Sequence, residues 1–272
     1  MGMNILICIV VMLSFVVATE GRADNQHSDT LYRILSTGTI KVCNKVDYPP
    51  YGSKNEVGEI VGFEADLAAD VATQLKVKLE KVPVVSANRI AVLQSGKCDL
   101  IIATMSAIPG RGDVVGFVQP FYMAGSENIF VPRSSGVRRW EDVDGKVLCG
   151  VDGAYYNNDA IELGARILSF KDGAQALAAL RDNKCTGFIY DTTYFAPLSN
   201  DPVWADYGTL LTPRHPRPWA IGVVKGDARF LDYMSRIVTQ WHVSGKLIEL
   251  EDKWAIPHSL YLQQQHDIFL SK

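Results

Sequence analysis

A short polar loop that ends at Arg111 carries the side chains best suited to bind a small carboxylate. The segment Asp99–Arg111 reads DLIIATMSAIPGR, so an apolar run leads into the hydroxyl residues Thr104 and Ser106 and then a single arginine. Hydroxyls and loop amides donate hydrogen bonds to carboxylate oxygens, and a planar guanidinium donates two parallel bonds. Since ligands bind beyond the carboxyl ends of parallel strands, the loop is suitably placed. A surface arginine after an ordinary turn is the alternative.

Alternating strand and helix patterns predict the elements that position this loop. Apolar residues recur every four positions from Phe63 to Leu75, which indicates an amphipathic helix. Asn88 is placed to cap a second helix that ends at Gly96. Strands are predicted at 40–43, 77–85 and 100–103, and a loop at 44–62. The order β-α-β-α-β is typical of a parallel sheet with crossover helices, so the fold class is α/β.

A second unit of the same kind follows, and the chain then returns to the first. Its predicted elements are strands at 146–151 and 187–190 and helices at 160–167 and 174–180, with Asp191 after the last strand. A strand at 219–224, a helix that begins after Asp227 and ends at Gly245, and a short helix to Trp254 complete the first unit. The chain should therefore cross between two lobes twice, near 122–130 and 212–219. Residues 257–272 are expected to form a frayed tail or a surface helix.

Composition and charge exclude several classes of function. The net charge is -3 and no basic block is present, so we expect no nucleic-acid partner. The five histidines and five cysteines show no metal-ligand spacing, so neither a metal site nor a cofactor is expected. Residues 4–18 form an apolar run of signal-peptide length. We therefore expect a signal peptide at 1–23, cleaved near Ala23, and export; a buried N-terminal helix is the alternative.

The ordered series of motifs resembles the extracytoplasmic solute-binding proteins of polar amino acid ABC transporters. The matching segments are TGTIKV at 37–42, DYPPYG at 47–52, GEIVGFEADLAADVA at 58–72, NRIAVLQSGKCDLIIATMS at 88–106, QPFY at 119–122, DGKVLCGVDGAYYN at 144–157, KCTGFIYDTT at 184–193 and PWAIGVVKGD at 218–227. The resemblance implies a type 2 periplasmic binding fold, with a mostly parallel sheet flanked by helices in each lobe and two hinge crossovers. Lobe one would be 30–124 plus 218–256, and lobe two 125–217.

The resemblance also assigns the two charged ends of an amino acid to different lobes. Arg111 matches the arginine that clamps the α-carboxylate, with Thr104 and Ser106 beside it. Asp191 matches the carboxylate that holds the α-ammonium group, and Tyr48 matches the aromatic wall against which the ligand lies. Both ligand charges must be paired in a closed cleft, because an unpaired buried charge costs several kcal/mol. Ligand binding should therefore close the hinge.

Further positions bear on the amino acid that is bound. Gly153, Ala154 and Tyr155 match a turn whose amides reach the carboxylate, although Ala154 lacks the usual hydroxyl. Lys45 and Arg89 would add positive charge near the cleft, which disfavours lysine or arginine as ligand and favours an acidic or uncharged polar amino acid. The alternative is that both are solvated rim residues. The implied partner is a membrane permease, with the protein a periplasmic monomer.

The resemblance implies one disulfide and leaves two rival functions open. Cys149 and Cys185 match paired positions of glutamate-type relatives, whereas Cys43 and Cys98 are expected to be free, buried thiols because they lie at opposite ends of their strands. A cyclohexadienyl dehydratase on the same scaffold would need a carboxylate where this chain has Tyr194, so no enzyme activity is expected. A sensory or accessory binding module is the other rival.

Overall fold

The computed structural model describes residues 29–271 of the 272-residue chain. The expected signal peptide, 1–23, lies outside the described residues. Between residues 29 and 271, no helix combines the length and the apolar character needed to cross a membrane.

The described chain alternates strands and helices. The strands are β1 (Thr39–Lys45), β2 (Asp47–Tyr48), β3 (Gly52–Lys54), β4 (Ile60–Val61), β5 (Lys78–Val84), β6 (Leu100–Ile102), β7 (Val115–Phe117), β8 (Met123–Pro132), β9 (Val147–Val151), β10 (Arg166–Phe170), β11 (Gly187–Asp191), β12 (Tyr207–Thr209), β13 (Arg214–Trp219) and β14 (Gly222–Val224). The helices are α1 (Thr30–Thr37), α2 (Phe63–Leu75), α3 (Arg89–Gln94), α4 (Pro109–Gly112), α5 (Tyr156–Glu162), α6 (Gly173–Arg181), α7 (Thr192–Phe195), α8 (Ala228–Ser244), α9 (Lys246–Lys253) and α10 (Leu260–Leu270).

The first sheet has five strands in the order β5-β1-β6-β14-β7. Strand β1 is parallel to β5 and β6, and β14 is antiparallel to β6 and β7. Helix α2 packs on this sheet through the predicted apolar stripe, of which Phe63, Leu67 and Val71 are fully buried. The predicted loop 44–62 is wrong in part, because it contains a small antiparallel sheet, β2-β3-β4. We call the elements around the first sheet the first lobe.

The second sheet has the order β10-β9-β11-β8-β12, with β13 also paired to β8. Strand β9 is parallel to β10 and β11, as expected of a crossover unit. The predicted helix at 160–167 is wrong, since α5 ends at Glu162 and β10 begins at Arg166. Gly164 lies between them with φ +85°, a left-handed conformation that stops a helix. We call the elements around the second sheet the second lobe.

Two adjacent strands carry the chain between the lobes. Strands β8 and β13 are antiparallel from the pair Met123 and Trp219 to the pair Glu127 and Arg214, with an irregularity in between. The single strand predicted at 219–224 is wrong, because β13 ends at Trp219 in the second sheet and β14 begins at Gly222 in the first. This break is where the chain passes from one sheet to the other. We propose the lobe boundaries 30–124 plus 218–256 and 125–217 on this basis.

The C-terminal helices pack against the first lobe. Helix α8 begins after Asp227, whose side chain accepts from the Phe230 amide, and ends at Gly245 with φ +73°. Residues 257–272 were expected to be a frayed tail or a surface helix, and the helix is observed. Helix α10 buries Leu262, and its Tyr261 hydroxyl donates to the Phe121 carbonyl at 3.2 Å. The C-terminal helix therefore contacts the chain just before β8.

Each lobe contains one disulfide. Cys149 is joined to Cys185, with 5.6 Å between their Cα atoms, as the resemblance implied. The prediction that Cys43 and Cys98 are free thiols is wrong, because a second disulfide joins them with a Cα separation of 5.7 Å. The amide of Asp99, the next residue, donates to the Lys41 carbonyl at 2.8 Å. The chain entering β6 thus lies against β1 and brings Cys98 to Cys43.

Candidate functional site

One cavity between the lobes is lined by most of the residues predicted to bind ligand. The lobes lie close together around it, and its free volume is about 20 Å³. Eight predicted residues line it: Tyr48, Arg89, Thr104, Ser106, Arg111, Ala154, Tyr155 and Asp191. The ninth, Gly153, adjoins it through a hydrogen bond to Arg111. Sequence reasoning missed four further lining residues, Ser86, Tyr156, Tyr190 and Trp219.

Arg111 reaches across the cavity from the first lobe. It lies in the one-turn helix α4, and its guanidinium donates to the Ser106 carbonyl at 3.2 Å and to the Gly153 carbonyl of the second lobe at 3.0 Å. Burial lowers the pKa of Arg111 to about 9, and the neighbouring Arg89 charge adds to the effect. The side chain therefore stays positive at neutral pH, and its remaining N–H groups are available to an anion.

The loop before Arg111 is held in an uncommon conformation. Thr104 has φ +45°, in the left-handed region that side chains other than glycine seldom adopt. Its amide donates to Glu64 Oε1 at 2.5 Å, and its carbonyl accepts from Arg89 Nη1 at 3.2 Å. Ser106 pairs with Trp219 in an isolated β-bridge, which fixes the far end of the loop. The conformation of the loop is thus fixed by neighbouring residues, and Thr104 and Ser106 line the cavity.

Asp191 provides the negative charge of the second lobe. It ends β11 and caps α7, and its carboxylate accepts from the amide and hydroxyl of Thr193 at 3.0 and 2.8 Å and from the Tyr156 hydroxyl. Only 1% of the side chain is exposed, and burial raises its pKa above the ordinary range. A Cβ at Gly125 of β8 would collide with the oxygens of the Asp191 carboxylate. Glycine at that position is therefore required for the carboxylate to fit.

Aromatic rings form one wall of the cavity and also join the lobes. The Tyr48 ring lies edge-on to Trp219 and Tyr194, at centroid distances of 6.0 and 5.0 Å. Its hydroxyl is 2.7 Å from the Thr193 hydroxyl oxygen in the second lobe. Tyr48 therefore contacts both lobes, and this wall of the cavity is complete only when the lobes lie close together.

The turn before α5 brings the backbones of the two lobes into close contact. Gly153 has φ +73°, and a Cβ there would lie 2.7 Å from the Ala87 Cα of the first lobe. Its carbonyl accepts from Arg111. The turn therefore uses a glycine for close contact, while Ala154 and Tyr155 face the cavity. The Tyr155 ring also stacks against the Arg217 guanidinium, 4.8 Å away.

Two further positive side chains lie beside the cavity. Arg89 is 3% exposed and lines the cavity, and Lys45 is fully buried behind Ser86. Lys45 Nζ donates to Asp47 Oδ1 at 2.8 Å and to Ser86 Oγ at 2.9 Å. Burial lowers the pKa of Lys45 to about 8. The alternative that Lys45 and Arg89 are solvated rim residues is therefore wrong.

A candidate cation-binding group lies beside the cavity without lining it, since Glu127 on β8 is the register partner of Asp191 on β11. Among residues 29–271, Glu127, Asp159 and His215 form one cluster whose potential ligand atoms lie within 4.8 Å of one another. The Arg214 guanidinium pairs with Glu127, and that of Arg217 lies 3.8 Å from Asp159. The two arginines therefore hold the two acids in a network of ion pairs and hydrogen bonds between β8, β13 and α5, in which burial raises the pKa of Glu127 to about 8.

Comparison with known proteins gives one family and a consistent set of relatives. The family model for bacterial extracellular solute-binding proteins, family 3, matches residues 40–257. The ABC transporter glutamine-binding protein GlnH of Bacillus subtilis is 27% identical over 244 residues, covering 87% of this chain and 88% of the relative. The glutamate/aspartate import solute-binding protein of Salmonella typhimurium is 22% identical, covering 83% and 79%.

Solved structures agree with the fold. A mutant of ArgBP from T. maritima superposes with a TM-score of 0.77 at 26% identity, covering 83% of this chain and 98% of the other. The ancestral amino acid-binding protein AncCDT-1, described as a precursor of cyclohexadienyl dehydratase, gives 0.75 at 26% identity with the same coverage. The cysteine-binding protein of Campylobacter jejuni gives 0.77 at 24% identity, covering 83% and 92%.

Proposed function

This chain belongs to the bacterial extracellular solute-binding proteins of family 3, and from that premise we propose that it binds a small polar L-amino acid between its lobes. We further propose that it delivers this ligand to the permease of an ABC transporter. The protein would work as a periplasmic monomer after removal of residues 1–23. The family is extracytoplasmic, which supports this location.

The observation that supports the proposal is that Arg111 and Asp191 line the same cavity. Arg111 comes from the first lobe and is partly buried, and Asp191 comes from the second lobe and is fully buried. An amino acid has an anionic and a cationic end a few ångströms apart, and each end leaves water favourably only when it meets an opposite charge. Arg111 with Thr104 and Ser106 would take the carboxylate, while Asp191 would take the ammonium group. The ligand would then join the lobes by its own two charges.

Positive charge beside the cavity supports an acidic or uncharged polar ligand side chain. Arg89 lines the cavity and Lys45 lies directly behind Ser86. Arg89 would repel a cationic ligand side chain, and repulsion of this kind produces specificity, whereas the charge of Lys45 is paired with Asp47. Relatives alone leave the choice open, because their names include glutamine-binding, glutamate/aspartate and histidine-binding proteins. The proposed preference therefore rests on residues of this chain.

A dehydratase remains the second candidate, because a structural neighbour is described as its precursor. The position that would need a general-acid carboxylate holds Tyr194, whose ring is buried and whose pKa is raised by burial. A phenol with a raised pKa is a poor proton donor to a leaving group at neutral pH. We propose that this chain binds without catalysis. The test is incubation with prephenate and with arogenate. Formation of an aromatic product would contradict the proposal that the protein binds without catalysis.

The test of the proposed function is a ligand panel on protein that has been unfolded and refolded to remove carried-over ligand. Thermal unfolding would be followed with each common L-amino acid and with dicarboxylates that lack an amino group. We expect the largest stabilisation from an acidic or uncharged polar amino acid and little from the dicarboxylates. A largest response to L-arginine or L-lysine would overturn the ligand class. Stabilisation by none of the amino acids would overturn the function itself.

A further inference from the structure

A fully buried carboxylate lies directly behind the ligand-binding loop. Glu64 is in the first turn of α2 and has no exposed surface. Its Oε1 accepts from the Thr104 amide at 2.5 Å and from the Tyr122 hydroxyl at 2.5 Å. Glu64 does not line the cavity, so it would act on a ligand only through these neighbours.

The first neighbour, Thr104, owes its backbone position to this contact. The peptide groups of Thr104 are held on both sides, because the amide donates to Glu64 and the carbonyl accepts from Arg89. A left-handed conformation of a β-branched residue persists only where its surroundings impose it. An N–H bond to an ionised carboxylate is about twice as strong as one to a neutral acceptor. The charge of Glu64 therefore helps to hold Thr104 where it lines the cavity.

The second neighbour, Tyr122, connects Glu64 to the interlobe crossing. Tyr122 directly precedes β8, and its amide donates to the Trp219 carbonyl at 3.2 Å. Trp219 is the last residue of the returning strand β13 and also lines the cavity. One oxygen of Glu64 is thus bonded both to the loop that would take the ligand carboxylate and to the point where the two crossing strands leave the first lobe.

We propose that Glu64 is a positioning residue whose ionised carboxylate organises the Thr104–Ser106 loop for ligand binding, so that ligand affinity depends on its charge. This inference rests on the proposed amino-acid site. It adds a residue that touches no ligand and sets the geometry of those that do.

The surroundings of Glu64 place its titration in the neutral range. Lys45 on β1 and Arg89 on α3 favour the charged form, as do the bonds from Tyr122 and Thr104, and the buried Tyr51 hydroxyl is also near. Burial outweighs these groups and raises the pKa of Glu64 to about 7. Above that pH the ionised group holds the loop, and below it a neutral acid is the weaker acceptor. Ligand affinity should therefore fall as the pH is lowered through 7.

The experiment is calorimetry of the wild type and of Glu64→Gln with the best amino acid from the ligand panel, between pH 5.5 and 8. Glu59→Gln, at an exposed carboxylate, is the matched control. We expect the wild-type Kd to rise about tenfold toward pH 5.5. Glu64→Gln should bind about tenfold more weakly at pH 8 and show little dependence on pH. The Glu59→Gln variant should behave as wild type.

Stability measurements separate positioning from folding. Because burial disfavours the ionised form, Glu64→Gln should unfold at pH 8 no more easily than wild type while binding more weakly. If the variant does not fold, Tyr122→Phe removes one bond without changing charge and should weaken binding about threefold. Wild-type affinity and pH dependence in a folded Glu64→Gln would overturn the inference while leaving the proposed function intact. A wild type that binds no amino acid would overturn the proposed function and the inference with it.

Discussion

At the scale of residues, Arg111 and Asp191 bring opposite charges to the cavity, and among residues 29–271 neither side chain forms an ion pair. Arg111 donates to two carbonyl oxygens, and Asp191 accepts from hydroxyl and amide donors. Neutral partners relieve a buried charge only in part, which is why burial shifts the pKa of each group toward its neutral form. Each charge is therefore available to a ligand group of opposite sign.

Replacing Arg111 tests whether its charge binds the ligand carboxylate. Arg111→Ala should weaken amino-acid binding at least a hundredfold, about 3 kcal/mol, because the ligand carboxylate would be buried without its cation. Isothermal titration calorimetry measures the change directly. Arg236→Ala, at a guanidinium whose side chain is 79% exposed, is the control and should bind as wild type. A loss of less than threefold in Arg111→Ala would remove this residue from the site.

The residues that sequence reasoning did not find share a physical property. Ser86, Tyr156, Tyr190 and Trp219 reach the cavity from segments whose patterns predict only strands, turns or packing residues. Tyr190 is in a strand that is buried throughout, so no alternation of polar and apolar residues marks its cavity-facing side. Ser86 lies in the connection between β5 and α3, and its approach to the cavity depends on the tertiary fold. Arg111 and Asp191 could be predicted because they follow apolar strands and match motifs of the family.

At the scale of elements, the turn at Gly153 sets how closely the lobes approach. A side chain here would strain a backbone with φ +73° and would also push against the Ala87 backbone of the other lobe. Gly136 has φ +76°, and a Cβ added there would meet no atom within 4 Å, so it supplies the same strain without the contact. Comparing substitutions at Gly153 and Gly136 therefore separates local backbone strain from the contact between the lobes.

Gly153→Ala should therefore weaken ligand binding at least tenfold, whereas Gly136→Ala should lose stability alone. The physical reason is that closure would be blocked only in the first variant. Calorimetry of both variants, with thermal unfolding measured beside it, makes the comparison. Equal affinities in the two variants would show that the Gly153 contact has no part in binding.

The disulfides are a second element-scale test. The structure joins β1 to the start of β6 through Cys43 and Cys98, although the sequence predicted free thiols there. Alkylation of denatured, unreduced mature protein should label none of Cys43, Cys98, Cys149 and Cys185, as counted by mass spectrometry. Two labelled cysteines would support the sequence expectation over the structure. Loss of either disulfide should lower the free energy of unfolding by about 2–4 kcal/mol.

The elements were predicted correctly where a periodic pattern extended over many residues. The predictions failed where the segments were short. The helix at 63–75 was confirmed with both ends, because a four-residue repeat persists over 13 residues. The pattern at 160–167 predicts one helix, but the chain turns at Gly164 and the five residues Arg166–Phe170 form β10. Short apolar runs fit a helix or a strand equally well, and the neighbouring parallel strand β9 decides in favour of the strand.

At the scale of the whole molecule, several buried acids make stability depend on pH. Burial raises the pKa of Glu64 and Glu251 to about 7 and that of Glu127 to about 8. Between pH 6.5 and 8 the folded protein therefore holds more protons than the unfolded chain, so stability decreases as pH rises. The lowered pKa of Lys45, about 8, acts in the opposite direction from about pH 7 upward, but below pH 8 the three acids outweigh it.

Chemical denaturation at several pH values measures this dependence. The free energy of unfolding should be lower at pH 8 than at pH 6.5, and Glu127→Gln should reduce the difference. A substitution of the exposed Glu249 by glutamine should leave it unchanged. Stability that increases across this interval would contradict the assignment of these buried acids.

The two-lobed architecture followed from the repeated strand–helix order and from the return of the last strand to the first sheet. What could not be read from the sequence was how far the lobes close. That distance depends on contacts such as Tyr48 with Thr193 and Arg111 with Gly153, which join residues more than 40 positions apart. Such contacts carry no local signature in composition or spacing.

The most direct measurement compares the best amino-acid ligand with two analogues, one lacking the α-amino group and one with its α-carboxylate converted to an amide. Calorimetry with the wild-type protein should show at least a hundredfold weaker binding for each, because one buried charge of the protein would lose its partner. An analogue that binds within threefold of the parent amino acid would contradict a site built from Arg111 on one lobe and Asp191 on the other.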